Sequence, residues 1–225
     1  MREICLDTET TGLEPKDGHR IVEIGCVEII DRVKTGNVFH TYVNPDRDMP
    51  ESAFKIHGIS EEFLKDKPKF SDIAEKFIDF IKDTNLVIHN AAFDMKFINS
   101  ELRKCGLEII ERRFVKDSLT MARNKYPGAK NSLDALCKRF KIDLSRREKH
   151  GALLDADLLA DVYVELIGGK QRSLFEEKRE EGELLINVKE NLKELPSRNF
   201  LTSEEDLKLH KAFIKKNFKD NFWDY

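Results

Sequence analysis

The sequence is poor in cysteine, which limits the kinds of site and fold open to it. Only four of its 225 residues are cysteine, and no two of them form a Cys-x-x-Cys pair. Zinc sites and disulfide frameworks normally need closely spaced or numerous cysteines. The pattern therefore favours buried thiols in a cytosolic protein over zinc ligands or disulfides. The residues concerned are Cys5, Cys26, Cys105 and Cys137.

The chain also lacks an excess of positive charge, since its formal net charge is −3. Proteins that grip long duplex DNA through its phosphates are usually basic. A nucleic acid substrate should therefore be held locally, and bound metal ions could supply the missing positive charge.

No long hydrophobic run is present, and the N-terminus, Met1-Arg2-Glu3, carries charges unlike those of a signal peptide. Hydrophobic residues make up 40% of the chain and charged residues 36%. The first fraction permits a folded core. The second is high and indicates a solvated surface or a partly disordered segment. We expect a soluble, cytoplasmic protein without a membrane-spanning segment.

The patterns that are present indicate an α/β fold. Apolar, β-branched runs predict strands at 4–9, 20–30, 38–43, 86–89 and 114–117. Helical spacing predicts helices at 71–82, from the capping residue Asn90 to about 105, from 131 to about 140, and at 152–166. Early strands followed by alternating strands and helices predict a mixed sheet flanked by helices.

Gly168-Gly169 ends the last of these helices and marks a change in composition. The stretch 176–183 consists almost entirely of charged residues, which is more typical of a solvated linker than of a site. We therefore divide the chain into a folded domain, residues 1–169, and a charged C-terminal tail, residues 170–225. The tail is expected to fold on, or dock to, a partner.

A pair of carboxylates ends the first predicted strand. Side chains alternate between the two faces of a strand, so Asp7 and Glu9 point to the same side. Neighbouring carboxylates repel each other unless a cation relieves the repulsion, and Mg²⁺ prefers oxygen ligands of this kind. A solvent-exposed strand end is the alternative. The turn Thr10-Thr11-Gly12, however, ends the strand abruptly and leaves both carboxylates at a sheet edge facing a cleft.

Three more side chains complete the candidate site. Asp94 falls in the first turn of the helix after Asn90, where an acidic residue can also simply stabilise the helix dipole. His150 and Asp155 are separated by about 500° of helix rotation, so they cannot share a helix face. We place His150 in the loop before the helix, with Gly151 giving the backbone latitude. A surface histidine is the alternative, but a histidine beside carboxylates suits general-base catalysis.

These residues resemble the DEDDh superfamily of 3′→5′ exonucleases, and within it the epsilon subunits of bacterial DNA polymerase III. Asp7-x-Glu9, Asp94 and His150-x4-Asp155 match the three exonuclease motifs in order and spacing. The resemblance extends from residue 1 to about 169 without a large gap. Its segments are LDTETTG (6–12), FKIHGI (54–59), VIHNAAFD (87–94), DSL (117–119), NSLDALC (131–137) and HGALLDA (150–156).

The resemblance implies a ribonuclease H-like fold and a metal-dependent exonuclease within a DNA polymerase complex. Such an enzyme removes mispaired 3′-terminal nucleotides as nucleoside 5′-monophosphates. The resemblance assigns two divalent ions, Mg²⁺ or Mn²⁺, to an acidic quartet and general-base catalysis to His150. The quartet consists of Asp7, Glu9, Asp94 and Asp155.

The same resemblance implies a binding site for a DNA 3′ end, single-stranded or frayed. A mismatch reduces the cost of unpairing, which gives selectivity without base reading. At the position of Ser52 the family often has an acidic residue, and here Glu51 stands one position away. For His57 the alternative is a loop histidine that caps Gly58-Ile59. The residues assigned to the substrate are Asp7, Glu9, Thr10, Ser52, His57 and Asp155.

The tail carries two further predictions. Gln171-Arg172-Ser173-Leu174-Phe175 resembles the motif by which bacterial replication proteins dock to the sliding clamp, with Gln171, Leu174 and Phe175 as anchors. A linker with two incidental apolar residues is the alternative. The resemblance also implies that the tail binds the polymerase (alpha) subunit, whereas the alternative is a helix that packs on its own domain. The apolar docking face would consist of Phe213, Ile214, Phe218, Phe222 and Trp223.

Two other functions stay open at this point. A stand-alone relative that trims RNA 3′ ends would use the same acidic quartet, although the clamp-like motif and the tail favour a polymerase subunit. A non-catalytic scaffold subunit would be expected to have lost a metal ligand, and all four acidic positions are intact.

Overall fold

The computed structural model describes residues 1–145, 150–169 and 203–217. The chain divides into two units, Met1–Glu176 and Glu177–Tyr225. The domain boundary that we place at residue 169 stays a prediction.

One five-stranded mixed sheet forms the centre of the first unit. Its order is β3-β2-β1-β4-β5. β1 pairs with β2, and β2 with β3, in antiparallel fashion, whereas β1 with β4, and β4 with β5, are parallel pairs. The predicted mixed sheet is confirmed. The strands are β1 (Arg2–Thr10), β2 (Ile21–Ile30), β3 (Val33–Tyr42), β4 (Asn85–Ile88) and β5 (Val115–Asp117).

Helices connect and cover these strands. Those of the first unit are α1 (Glu51–His57), α2 (Glu61–Leu64), α3 (Phe70–Ile81), α4 (Ala91–Lys104), α5 (Ser118–Lys125), α6 (Leu133–Phe140) and α7 (Ala152–Leu166), with short 3₁₀ helices at Pro15–Asp17 and Arg112–Phe114. The predicted helices correspond to α3, α4, α6 and α7. The pattern missed α1 and α2, which have only seven and four residues. It also missed α5, which buries only Ser118 and Ala122 and so has no apolar stripe, whereas α6, of the same length, buries Leu133, Leu136 and Cys137.

The alternation of side chains along β1 separates the core into two layers. Leu6 packs in a cluster with α3 and α4. Cys5 points to the other face and packs in a cluster with α5, α6 and α7. Asp7 and Glu9 continue the Cys5 face, and Thr8 continues the Leu6 face. The end of β1 can therefore receive functional groups from helices on both sides of the sheet.

Helix α7 begins directly on the backbone of β2, because a glycine stands at the contact. Gly25 lies opposite Asp7 in the pairing of β2 with β1. A Cβ atom at Gly25 would lie 2.3 Å from backbone atoms of Ala152 and Leu153, which is closer than side chains tolerate. Any other residue would push the first turn of α7 away from the sheet. Gly25 therefore determines how closely that turn approaches β2 beside Asp7.

The cysteines are thiols, and no disulfide links them. Three are buried as expected, whereas Cys105 is half-buried because it follows the last residue of α4. The thiols take no part in the site described below.

The second unit has one described helix, α8 (Glu204–Asn217), whose start is capped by Ser203 Oγ accepting from the Asp206 N–H at 3.1 Å. Phe213 is 58% exposed, whereas Ile214 is only 5% exposed. The other residues of the predicted docking face, at 218, 222 and 223, lie outside the described residues. Among the described ranges, no helix is long and apolar enough to cross a membrane.

Candidate active site

Three of the predicted catalytic side chains meet at the end of β1. Glu9 is buried there, and Asp155 lies buried in the first turn of α7. His150 lies in the loop before α7, where the spacing predicted it, and its side chain is 50% exposed. His150 Nδ1 and Asp155 Oδ2 are 3.1 Å apart. One ligand atom from each of Glu9, His150 and Asp155 falls within 4.8 Å of the other two.

Asp94 reaches β1 from the opposite face of the sheet, through α4. Strand β4 ends at Ile88, which is opposite Leu6, so β4 does not extend as far as Thr8. Asp94 Oδ1 accepts the Thr8 backbone N–H at 3.1 Å and the Thr8 hydroxyl at 2.7 Å. The structure thus joins Asp94 to the residue between Asp7 and Glu9, but it does not place Asp94 within the cluster formed by Glu9, His150 and Asp155.

Burial dominates the electrostatics of Asp94. It raises the pKa of this carboxyl from its ordinary value to about 7, and the hydrogen bonds from Thr8 act in the opposite direction. An ionised Asp94 is therefore costly to keep in the folded protein. A nearby cation would reduce that cost.

The donor set at this position fits a hard divalent cation. Carboxylate oxygens suit Mg²⁺ and Mn²⁺, and an imidazole nitrogen can join them. Glu9 and Asp155 are 9% and 3% exposed, and buried carboxylates this close together favour a compensating positive charge. Asp7 is half-buried and lines the same cavity as His150 and Asp155. The assignment of each carboxylate as a metal ligand stays a prediction.

Two of the predicted substrate residues lie close together. Thr10 is the last residue of β1, and His57 lies near it on the side of β2. Thr10 follows a bulge at the end of β1, and its hydroxyl donates to the Gly12 carbonyl at 2.7 Å. His57 is the last residue of α1, not a loop residue, and it is buried. Its Nδ1 accepts the Ile59 N–H at 3.0 Å, so the contact proposed as the alternative role is present.

The other ring nitrogen of His57 remains available to a ligand. Because Nδ1 is an acceptor, a neutral ring carries its proton on Nε2. That Nε2 is buried and has no hydrogen-bond partner among the described residues. Burial lowers the pKa of His57, which favours this neutral donor, whereas Glu23 and the nearby backbone of Thr10 act against the shift. Ser52 is exposed near the start of α1, and Glu51 forms an ion pair with Lys55 at 2.7 Å.

The role of Asn90 differs from the prediction. It occupies the residue before α4, but its side chain makes no capping hydrogen bond. Its backbone is left-handed, with φ 68°, and its N–H donates to Asp117 Oδ1 at 3.2 Å. Asparagine tolerates this conformation better than most residues, so its value here is in the turn between β4 and α4.

Glu23 supports the site, and sequence reasoning did not identify it. It lies opposite Glu9 in β2. Its Oε2 accepts the Ala152 N–H at 3.1 Å, and its Oε1 lies 2.7 Å from His40 Nε2. Glu23 thus satisfies an N–H in the first turn of α7 and fixes the chain just after His150. A charged residue inside an apolar strand was the available signal.

A cavity of about 730 Å³ opens beside Asp7. Asp7, His150 and Asp155 line it on one side, and residues of α5 and of the segment before α6 line it on the other. His89 also lines it, because β4 runs parallel to β1 and ends beside Leu6. The sequence motif contains His89, but only the sheet topology shows that it faces the cavity.

Comparison with known families bears on this site. The family model described as Exonuclease matches residues 4–163, a range that contains all five predicted catalytic positions. This chain belongs to that exonuclease family. The DNA polymerase III subunit epsilon of Rickettsia felis is 51% identical to this exonuclease over 224 residues, covering 97% of this chain and 98% of the relative. The subunit epsilon of Salmonella typhimurium is 45% identical over 223 residues, covering 94% and 91%.

Solved structures agree with the fold of this exonuclease. Exonuclease X in complex with 5′ overhanging duplex DNA is 30% identical, with a TM-score of 0.58, and the match covers 74% of this chain and 90% of that one. The nuclease domain of 3′hExo, a DEDDh family member bound to rAMP, is 20% identical, with a TM-score of 0.65 and coverages of 76% and 94%. The second similarity concerns the fold alone. The predicted resemblance and the ribonuclease H-like architecture are both confirmed.

Replacing the buried carboxylate of Asp94 by an amide should stabilise the metal-free protein. Asn Oδ1 can accept both hydrogen bonds from Thr8 without the cost of burying a charge. We expect Asp94→Asn to raise the free energy of unfolding in chelator at pH 8 by roughly 1–3 kcal/mol, measured by urea denaturation. The folded-state pKa is raised, so the gain should shrink as the pH falls from 7 towards 4.

Asp79→Asn is the matched control, because Asp79 is exposed on α3. It should leave the stability unchanged at either pH. An Asp94→Asn protein that is less stable than the unaltered chain at pH 8 would contradict this account of Asp94.

Proposed function

We propose that the chain is a proofreading 3′→5′ exonuclease subunit of DNA polymerase III, which hydrolyses mispaired 3′-terminal nucleotides to nucleoside 5′-monophosphates. The observation that supports this most directly is the cluster of Glu9, His150 and Asp155 at the end of β1. It occurs in a chain that is 51% identical to a subunit epsilon over nearly its whole length. Neither the RNA-trimming enzyme nor the non-catalytic scaffold has comparable support.

His150 is placed to act as the general base. Asp155 Oδ2 lies 3.1 Å from His150 Nδ1, so a neutral ring that donates from Nδ1 carries its lone pair on Nε2, which can accept a proton from water. That water attacks the phosphorus atom, and the bond from phosphorus to the 3′ oxygen of the preceding nucleotide breaks. The released oxygen takes up a proton and becomes the new 3′ hydroxyl end. The exposed half of His150 lets the ring exchange its proton with solvent.

The exonuclease family generally uses divalent metals, and we propose that this chain holds two ions, Mg²⁺ or Mn²⁺. Their ligands would be Asp7, Glu9, Asp94 and Asp155. When bound, such ions stabilise negative charge on the phosphate and lower the pKa of a bound water. Asp94 and Asp155 arrive from opposite faces of the sheet, so the quartet can surround a phosphate at the end of β1.

The terminal nucleotide is proposed to bind on the β2 side of the site. There the buried Nε2 of His57 can donate a hydrogen bond, close to the backbone of Thr10. Ser52 is exposed near the start of α1, the helix that ends at His57. A frayed mismatch would present a single-stranded 3′ end to these groups at a lower cost of unpairing than a matched pair.

We propose that the tail attaches the enzyme to its partners in the cytoplasm. The clamp motif, with anchors Gln171, Leu174 and Phe175, lies outside the described residues and rests on the sequence alone. For the polymerase subunit, the exposed Phe213 of α8 supports a docking role. Ile214, on the same helix, is buried and does not extend this exposed face.

The proposed activity can be tested with a 5′-labelled primer–template that ends in a 3′ mismatch. The chain should shorten the primer from its 3′ end only with Mg²⁺ or Mn²⁺. Asp7→Asn should abolish the ladder, and His150→Ala should slow it by roughly 10²–10⁴-fold because the general base is lost. Asp79→Asn, an exposed carboxylate elsewhere in the same unit, is the control and should keep full activity.

Two outcomes would count against the proposal. Absence of shortening with either metal would remove the catalytic interpretation. Faster hydrolysis of single-stranded RNA than of DNA in a parallel series would favour the RNA-trimming enzyme instead.

The clamp motif predicts a separable binding defect. Leu174→Ala combined with Phe175→Ala should abolish co-elution with the sliding clamp in gel filtration, because both apolar anchors are removed. Exonuclease activity on a free primer should not change. Arg172→Ala, at the variable position of the motif, is the control. Equal clamp binding by the double variant would assign these residues to an ordinary linker.

A further inference from the structure

The cavity beside Asp7 has a wall that the proposed chemistry leaves without a role. Asp7, His150 and Asp155 occupy one side of this cavity. On the other side lie Leu119 and Arg123 of α5, together with Asn131 and its neighbours before α6. None of Glu9, Thr10, Ser52 and His57 lines it. The cavity and the proposed terminal-nucleotide site therefore lie in different directions from the acids.

The sheet topology fixes these directions. His57 lies close to the backbone of Thr10 and near Glu23, on the β2 side of β1. The cavity is on the other side, because β4 pairs with β1 up to Ile88 and Leu6 and then delivers His89 to the cavity wall. A DNA strand whose last nucleotide sits by His57 and whose scissile phosphate sits at the acids must continue across this cavity. The cavity then receives the nucleotide on the 5′ side of the scissile bond.

Arg123 is the charged group on that wall that suits a nucleic acid backbone. It is the only Arg or Lys among the described residues that line the cavity. Its side chain is exposed, and within the described ranges it forms no ion pair or hydrogen bond. A guanidinium group that is not already committed can bind a phosphate through two parallel hydrogen bonds.

The wall that carries Arg123 is held in place from both ends. Asp117 Oδ1 accepts the Leu119 N–H at 2.9 Å and so caps the start of α5. After α5, Asn131 Nδ2 donates to the carbonyls of Tyr126 and Ala129 at 3.2 and 3.0 Å. These two bonds fix the orientation of the Asn131 amide, whose buried Oδ1 has no partner among the described residues. The wall is therefore held in a fixed position, and the Asn131 Oδ1 atom can still accept a hydrogen bond.

From this arrangement we propose that Arg123 binds the phosphodiester group on the 5′ side of the scissile one. Arg123 is then a substrate-binding residue that holds the strand while the terminal nucleotide is removed. The proposal rests on the proposed exonuclease function. It adds a contact that only a substrate of at least two linked nucleotides can make.

Two substrates separate this contact from catalysis itself. A single-stranded oligodeoxynucleotide has the upstream phosphodiester, whereas the p-nitrophenyl ester of thymidine 5′-monophosphate has a scissile phosphate and none upstream. For Arg123→Gln in the full chain with Mn²⁺, the ratio of kcat/KM on the oligonucleotide to kcat/KM on the ester should fall roughly tenfold. The fall should come mainly from KM on the oligonucleotide.

Salt dependence gives a second readout. Losing one phosphate contact to a single strand should reduce the slope of log(1/KM) against log salt concentration by about 0.7. Lys138→Gln is the matched control, because it removes one exposed positive charge from α6 outside the cavity. It should change neither the ratio nor the slope. Arg123→Lys keeps the charge without the paired donors and should recover part of the loss.

The possible results separate the Arg123 contact from the exonuclease function. An unchanged ratio for Arg123→Gln, or an equal loss on both substrates, would overturn the assignment of Arg123 while leaving the exonuclease function intact. An unaltered chain that cleaves neither substrate would overturn the proposed function and this contact together.

Discussion

The repulsion among carboxylates gathered at the end of β1 is the constraint on which the rest of the structure depends. Glu9 and Asp155 are buried near each other, and Asp94 is buried against the Thr8 backbone. Such a group is unfavourable in a folded protein unless hydrogen bonds or cations offset the cost of burial. Thr8 supplies two hydrogen bonds to Asp94, and the imidazole of His150 lies beside Asp155. Thr8, Glu23 and Gly25 hold the elements that carry these charges in place.

The side chains of the site come from both faces of one sheet. Residues of β1 alternate between the α7 face and the α4 face, so Asp7 and Glu9 meet α7 while Thr8 meets Asp94 on α4. Helix α7 can begin so close to β2 because Gly25 has no side chain, and Glu23 holds its first turn through the Ala152 N–H. A displacement of this turn by about 1 Å is the kind of change that costs catalysis heavily. Gly25 and Glu23 therefore position the first turn of α7, which carries Asp155.

Patterns within short stretches of sequence predicted the secondary structure better than the contacts within the site. Period-two and helical spacing located the five strands and helices α3, α4, α6 and α7, and the five-residue separation placed His150 in the loop before α7. Groups brought together by tertiary structure were out of reach. Nothing local to Glu23 indicates that it lies under the start of α7, and nothing local to Arg123 indicates that it faces a cavity shared with Asp7. The helix that ends at His57 was not predicted, because the seven-residue α1 is too short to show a period. Asn90 precedes α4 as predicted, but its side chain does not cap the helix, and its left-handed backbone forms the turn instead.

The central claim is that the acids at the end of β1 form one site that holds two divalent cations. Calorimetric titration of Mn²⁺ into the chelator-treated full chain tests it most directly, because it measures the site without any turnover. We predict saturable binding of two ions per chain that Glu9→Gln weakens by roughly tenfold or more. Glu28→Gln, which alters a buried carboxylate of β2 that is bonded to Arg2 and Thr35, should bind like the unaltered chain. No saturable binding, or equal binding by Glu9→Gln, would contradict the account.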